Sequence, residues 1–395
     1  MTPSTPQSSE TAFLPLQGLR VVDFTRVLAG PYATMSLAEL GADVIKIEMP
    51  GVGDETRGWG PPFAGASSAY FAAVNRGKRS IELDLSSAEG RQHVDALLAT
   101  ADVVVENFRP GVAERLGLGA EEVMERHPHL VYASITGFGR TGPMAQDAGT
   151  EVIVEAESGL MSITGHPGAD PVRFGVAMVD IATGLTMITG VLAALLERTR
   201  TGRGRRIDVS LYATALSSLG TVIASSSAGG GTPRAWGSAH PSIVPYRAFS
   251  AADGHVVLGA TNDAMFVRLA SALDLADRLG QERWATNAGR VAERAQVEQV
   301  IAEAVTALTV EDIVGRLRAQ GVLVAPVLNP DQAARSEQAR ALGLMADQDG
   351  VLIARGPLAA GRATDVGPAP RLGEHTEEIL AELGRDPRHV QEAKS

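Results

Sequence analysis

A chain of 395 residues is longer than one hydrophobic core usually organises, so more than one domain is expected. With 45% hydrophobic and 21% charged residues it has the composition of a globular protein, and a net charge of −11 argues against a general nucleic-acid or anionic-membrane binder. The absence of cysteine excludes disulfides, thiolate metal sites and cysteine nucleophiles, and fits a reducing, cytoplasmic compartment.

The polar, Pro/Ser-rich start lacks a basic and then apolar signal pattern, so residues 1–13 read as a flexible leader. Arg20 to Phe24 reads as a strand, Pro31 to Leu40 as a helix with Pro in its first turn, and Ala42 to Ile47 as the next strand. Lys78 to Asp84 is a third strand, followed by a helix that Ser86 or Ser87 caps and that runs to about Thr100. Asp102 to Glu106 and Leu130 to Ile135 complete a βα alternation, which indicates a Rossmann-like α/β domain with a mostly parallel sheet. Such sheets bind ligands beyond the C-terminal ends of their strands. The loops there are Thr25 to Gly30, Asn107 to Gly111 and Thr136 to Gly139, and none is a dinucleotide fingerprint or a P-loop.

An apolar helix from Ile181 to Leu196, interrupted by threonines, reads as a core helix too short and mixed to span a bilayer. The arginines 198, 200, 203, 205 and 206 that follow suit a helix C-terminus better than a nucleic-acid patch. Ile207 to Leu211 is a short strand. Tyr246 to Ser250, the Asp253-Gly254 turn and His255 to Gly259 read as a hairpin, and Val322 to Val327 as another strand. The expected plan is a large α/β domain at 14–225, a smaller α+β domain at 226–330, and a C-terminal segment at 331–395 that returns to the large domain through a helix near Thr376 to Leu383.

Asp180 stands where the apolar, strand-like run of Gly175 to Val179 meets that long helix. A carboxylate at a helix N-terminus is favoured in its ionised form, and an ionised, positioned carboxylate is a nucleophile. Asp is also among the commonest N-cap residues, so position alone leaves both roles open.

Six segments together make the chain resemble the class III CoA-transferases, the formyl-CoA transferase and carnitine CoA-transferase group. They are Leu16 to Phe24, Gly41 to Glu48, Asn75 to Asp84, Val105 to Gly111, the Asp180 segment and Leu372 to Thr376. The resemblance implies that Asp180 is the nucleophile of a ping-pong transfer through an aspartyl anhydride and an aspartyl-CoA thioester. It implies no metal and no cofactor beyond the CoA thioester substrate, and an interlocked homodimer. Oxyanion donors would include backbone N–H groups near Gly229 to Gly231. The family's CoA contacts fall on Val27, Leu28 and Ala29, on Leu83 to Ser86, on Asn107, Phe108 and Arg109, and on Arg115. Glu151 joins them from a segment that lies close to the nucleophile. Met49 and Ser86 stand where relatives carry Arg and Lys, so phosphate recognition is expected to be rebuilt through Arg57, Lys78 or Arg79.

The same fold hosts 2-methylacyl-CoA racemases, whose catalytic His position falls on Thr150; a threonine is no base near neutral pH. A non-catalytic CoA-binding protein is the third reading. The segments Asp170 to Asp180 and Arg234 to Tyr246 are similar to the dicarboxylate-using branch of the succinate–hydroxymethylglutarate CoA-transferases, which implies acyl-CoA and small-carboxylate partners, with succinyl-CoA as donor. A distal carboxylate needs a cation, for which Arg26, Arg109, Arg173, Arg234 and His240 are candidates. Arg26→Ala is expected to raise the acceptor KM more than it weakens CoA binding, as initial-rate kinetics would show; unchanged acceptor kinetics would remove Arg26 from the site.

Overall fold

The computed structural model describes residues 13–348, 350–359 and 367–384. Of the expected leader, only Phe13 falls within them. The chain divides into two compact units, one of residues 1–160, 173–230 and 334–395, the other of 161–172 and 231–333.

The first unit is built on a six-stranded sheet. Its strands are β1 (Arg20–Asp23), β2 (Asp43–Glu48), β3 (Arg79–Glu82), β4 (Val103–Glu106), β5 (Val131–Thr136) and β6 (Arg206–Ser210). All pairings are parallel and the order is β3-β2-β1-β4-β5-β6. Strands covered on both faces read as continuous apolar runs, and Val103, Val104 and Val105 are all buried. The exceptions gather toward the C-terminal strand ends: Asp23, Lys46, Glu48, Glu106 and Ser134 are buried and polar. The strand order reverses between β1 and β4, the switch point at which an open parallel sheet leaves a crevice.

Helix α1 (Ala29–Glu39) starts two residues before Pro31, and Pro31 still falls in its first turn. Helix α2 is Ala69–Asn75 and α3 is Ala88–Thr100. Ser87 caps α3 by accepting from the Gly90 N–H, while Ser86 turns back to Asp84. After α4 (Glu151–Glu157) comes α5 (Met178–Thr201), which is longer at both ends than the expected Ile181 to Leu196. At 24 residues and mean hydropathy 1.9, α5 is long and apolar enough to cross a membrane by length and composition. It is packed on one side against α1, β5, β6 and α6 (Leu211–Ser218), burying Met187, Ile188, Val191 and Leu195. Each such side chain contributes roughly 1.5–3 kcal/mol relative to exposure.

The second unit holds a three-stranded antiparallel sheet of β7 (Tyr246–Ser250), β8 (His255–Gly259) and β9 (Leu323–Pro326), in the order β9-β8-β7. Val256, Leu258, Phe266, Trp284, Ile301 and Leu317 share its core. Back in the first unit, β10 (Met345–Gln348) and β11 (Val351–Ala354) form a hairpin. Helix α7 (Thr376–Leu383) lies against β3, where the His375 N–H donates to the Ser80 carbonyl (2.9 Å) and Arg79 pairs with Glu378 and Glu382.

Candidate active site

Two cavities open at the switch point. The first, about 220 Å³, is lined by Arg26 to Ala29 after β1, Asn107 to Pro110 after β4, the turn after β5, and Gly149, Thr150, Glu151 and Asp180. The second, about 270 Å³, is lined by Lys46 to Glu48 at the end of β2 and Met49 after it, Leu83 to Ser86 after β3, and Val112 and Leu116. Arg26 and Phe108 line both, so the cavities adjoin along these two side chains. Phe108 is tilted against Phe24 with ring centroids 6.1 Å apart.

The loop after β1 is held in a costly conformation. Val27 has φ +72°, a region that a β-branched side chain rarely adopts. The Asn107 carboxamide clamps the residue before it, accepting from the Arg26 N–H (2.9 Å) and donating to the Arg26 carbonyl (2.8 Å). Asn107 is therefore in place as the fastener between two loops of the crevice. Opposite, Gly137 and Gly149 touch backbone to backbone: a Cβ on Gly137 would come within 2.5 Å of the Gly149 Cα.

Asp180 is not the cap of its helix. No strand precedes it, α5 begins at Met178, and Asp180 is the third helical residue. The free N–H groups at that end go to Glu151, whose Oε1 accepts from Val179 N at 2.9 Å. The expected ionised state is likewise corrected. Burial, and then the charge of Glu151, push the Asp180 carboxyl from 3.8 up to about 7. Glu151 is also raised, by burial first, but the backbone N–H groups of Val179 and Asp180 and the nearby Arg173 favour its anion. Glu151 thus ionises first, and its charge opposes the second ionisation beside it.

Tyr70 lines neither cavity but feels the charges of the site, and it was not singled out from sequence. Burial, followed by the carboxylates of Asp180, Glu151 and Asp54, pushes its phenol up to about 12. It therefore stays protonated near neutral pH. Its ring packs on Trp59 with centroids 5.2 Å apart. Tyr70 comes from α2, more than a hundred residues before Asp180, and nothing in the local sequence marks it.

The cations expected to replace Met49 and Ser86 are committed elsewhere. Arg57 forks onto Glu48 (2.8 and 2.6 Å), binds Ser67 and the Pro370 carbonyl, and lies over Phe71. Lys78 is buried against Asp23 and Asn75. Arg79 binds Asp43, Glu378 and Glu382. Arg115 is exposed and lines neither cavity, and neither does the Gly229 to Gly231 stretch. Arg26 and Arg109 are the cationic side chains that line the cavity with Asp180. Arg234 and His240 are in the second unit, where Arg234 lies over Trp236 at 4.2 Å and His240 stacks on Tyr246. Of the arginines expected to follow α5, Arg198 falls in its last turn and pairs with Asp102, while beyond it Arg205 pairs with Glu197 and Arg206 with Asp208.

Among the described residues no group of three or more His, Asp or Glu side chains is placed to hold a metal ion. The chemistry on offer in the first cavity is that of a carboxyl poised near neutrality beside a second carboxylate, with two guanidinium groups lining the same wall. Thr150 lines the wall at the position expected for a racemase histidine, and among the described residues no histidine lines either cavity.

The sequence matches CoA-transferase family III over residues 16–376. It is 39% identical to a human succinyl-CoA:glutarate CoA-transferase over 99% of this chain and 91% of that protein. It is 41% identical to a succinate–glutarate CoA-transferase of Agrobacterium fabrum, covering 93% of this chain and 96% of that one. Among solved structures, a CaiB/BaiF family protein from Brucella suis superposes with a TM-score of 0.85 at 40% identity, covering 93% of this chain and 99% of that chain. The crevice at the switch point is thus the candidate site of an enzyme, a CoA-transferase, and the chain belongs to CoA-transferase family III.

Proposed function

We propose that this enzyme moves CoA from succinyl-CoA to a dicarboxylate, with glutarate the first acceptor to test. One observation carries the reading: the Asp180 carboxyl lines a cavity that adjoins a second, more apolar one. An extended thioester fits this layout, with its nucleotide end in the second cavity against Phe108 and its acyl end beside Asp180. The relatives' donors and acceptors support the substrate class, and Arg26 and Arg109 supply cations for a distal carboxylate.

In the proposed reaction an Asp180 oxygen attacks the thioester carbonyl, the C–S bond breaks, and CoA leaves as thiolate. The thiolate then attacks the aspartyl carbonyl of the resulting anhydride. Succinate departs and an aspartyl-CoA thioester remains. The acceptor carboxylate attacks that thioester, releasing thiolate and forming a second anhydride. Thiolate attack on the acceptor's acyl carbon then gives the product and restores Asp180. No net proton or electron is consumed. Each addition develops an oxyanion, which fixed donors must stabilise; the backbone N–H groups at the start of α1, where Ala29 lines the Asp180 cavity, are the candidates.

The test is mass-spectrometric detection of new acyl-CoA in D₂O from succinyl-CoA and a panel of glutarate, 3-hydroxy-3-methylglutarate, malate, itaconate, citramalate and oxalate. Glutaryl-CoA formation supports the reading. No transfer to any acceptor, together with deuterium entering the α-position of a 2-methylacyl-CoA, replaces it with the racemase.

A homodimer is part of the proposal. The outer face of α5 leaves Met178, Leu185, Leu192 and Leu196 between 37% and 66% exposed, and no residue from Ile181 to Leu196 is charged. A helix that carries an exposed apolar stripe and no charge over that span, its exposed threonine hydroxyls bonded back to its own carbonyls, calls for cover on its second face. The double variant Leu185→Glu/Leu192→Glu is expected to weaken self-association by at least about 10²-fold in sedimentation velocity. A variant that sediments as the wild type does would remove α5 from the interface.

A further inference from the structure

Beneath the loop that follows β1, bordering the second cavity at Lys46 and Asp54, lies a set of charges whose side chains are closed to solvent. Lys46 pairs with Asp54 at 3.0 Å and Lys78 with Asp23 at 3.0 Å, and all four side chains are 0% exposed. Burying two ion pairs is expensive, and well-packed apolar residues in their place are often as stable or more so. Stability alone is therefore a poor account of them.

Two of the four, Asp23 and Lys46, grip the same residue, Thr25. Asp23 accepts from the Thr25 N–H (2.9 Å), the Thr25 hydroxyl (2.6 Å) and the Thr34 hydroxyl of α1 (2.7 Å). Although burial pushes the Asp23 carboxyl up, Lys78, Lys46 and these hydroxyls hold it down at about 2, so the anion persists. On the other side the Lys46 ammonium donates to the Thr25 carbonyl at 2.7 Å. Thr25 is thus gripped at its N–H, its side chain and its carbonyl, with Arg26 clamped next to it by Asn107. The following residue is the positive-φ Val27, and two residues later α1 begins at the cavity that holds Asp180. A backbone held at a cost of about 1–3 kcal/mol persists only where its surroundings over-determine it.

We propose that Lys46 is a positioning residue for CoA transfer: through the Thr25 carbonyl it sets the backbone from Arg26 to Ala29 against Asp180. It does so from β2, touching neither reacting carboxyl. The inference rests on the CoA-transfer reading, and wild-type activity in the acyl-CoA assay tests that reading separately. A wild type without transfer sinks the function; a wild type with transfer leaves Lys46 to be judged on its own variants.

Two variants decide it. Lys46→Met keeps the stem and removes the ammonium but leaves Asp54 buried without its partner. Lys46→Met/Asp54→Asn neutralises both, and its thermal unfolding midpoint is expected at or above that of the single variant. The expected result is a kcat roughly 10²-fold below wild type in both, with the succinyl-CoA KM within about threefold. Restored stability without restored kcat is a result that a purely structural role does not produce. A folded double variant with kcat within about threefold of wild type, or a loss carried by KM, overturns the proposal. Failure of both variants to fold also overturns it, because Lys46 is then structural.

Discussion

Asp180→Asn is expected to abolish succinyl-CoA:glutarate transfer, lowering kcat by at least about 10³-fold, while succinyl-CoA affinity by calorimetry stays within a few-fold of wild type. The amide has nearly the shape of the carboxyl but no nucleophilic oxygen anion. Residual transfer above about a tenth of the wild-type rate would sink the nucleophile assignment. The same variant reports on what the site costs the fold. Asp180 titrates at about 7 in the folded protein against an ordinary 3.8. Below about pH 4 both folded and unfolded chains hold the proton, and the substitution changes stability little. As pH rises from there to about 7, the unfolded chain releases its proton first, and the wild type loses stability that the asparagine variant keeps. Solvent screening at a partly exposed carboxyl leaves a gain of about 1–3 kcal/mol above pH 7, readable as a higher denaturation midpoint at pH 8 than at pH 4 relative to wild type. Activity is expected to run the opposite way: with the anion as the proposed nucleophile, the wild-type rate should climb through pH 7 toward a plateau.

Replacement of Glu151 is expected to move that climb. Its carboxylate opposes ionisation of Asp180 and occupies the backbone N–H groups that begin α5. Glu151→Ala removes the neighbouring charge and frees those N–H groups, and both changes favour the Asp180 anion. The midpoint of the rate–pH profile is therefore expected below 7, while kcat on the plateau falls by roughly 10²-fold because the end of α5 loses its anchor. Glu151→Gln keeps an acceptor for Val179 N and loses only the charge. Its midpoint should fall as well, with a smaller loss on the plateau. A midpoint that rises in either variant would show that Glu151 stabilises the Asp180 anion instead of opposing it.

Much of this fold was legible before any coordinates. The Val-rich strands, the connecting helices and the glycine-bearing turns indicated a parallel sheet, and Asn107, Phe108 and Arg26 lie where strand-end loops should meet a ligand. What stayed illegible was pairing over distance. The partner of the α5 N-terminus is Glu151, 28 residues upstream of Val179, and local rules assigned that place to Asp180. Arg57, Lys78 and Arg79 read as spare cations because their carboxylates arrive from other strands and from the tail, with Arg57 meeting the Pro370 carbonyl across 313 residues. Tyr70 was missed for the same reason. Its phenol comes under the charge of Asp180 only once α2 is folded.

The edge of the sheet carries a consequence for how the protein is made. Strand β3 is finished by the segment around α7, where the Ser80 N–H meets His375 Nδ1 across 295 residues of chain. At about 5–20 residues per second, a ribosome needs roughly 15–60 s to cover that distance. Throughout that interval the nascent sheet presents β3 uncovered, with Arg79 short of Glu378 and Glu382. Completion of the catalytic unit is therefore a late event in translation, and a polypeptide that stops before residue 375 leaves an open sheet edge for chaperones and proteases to read.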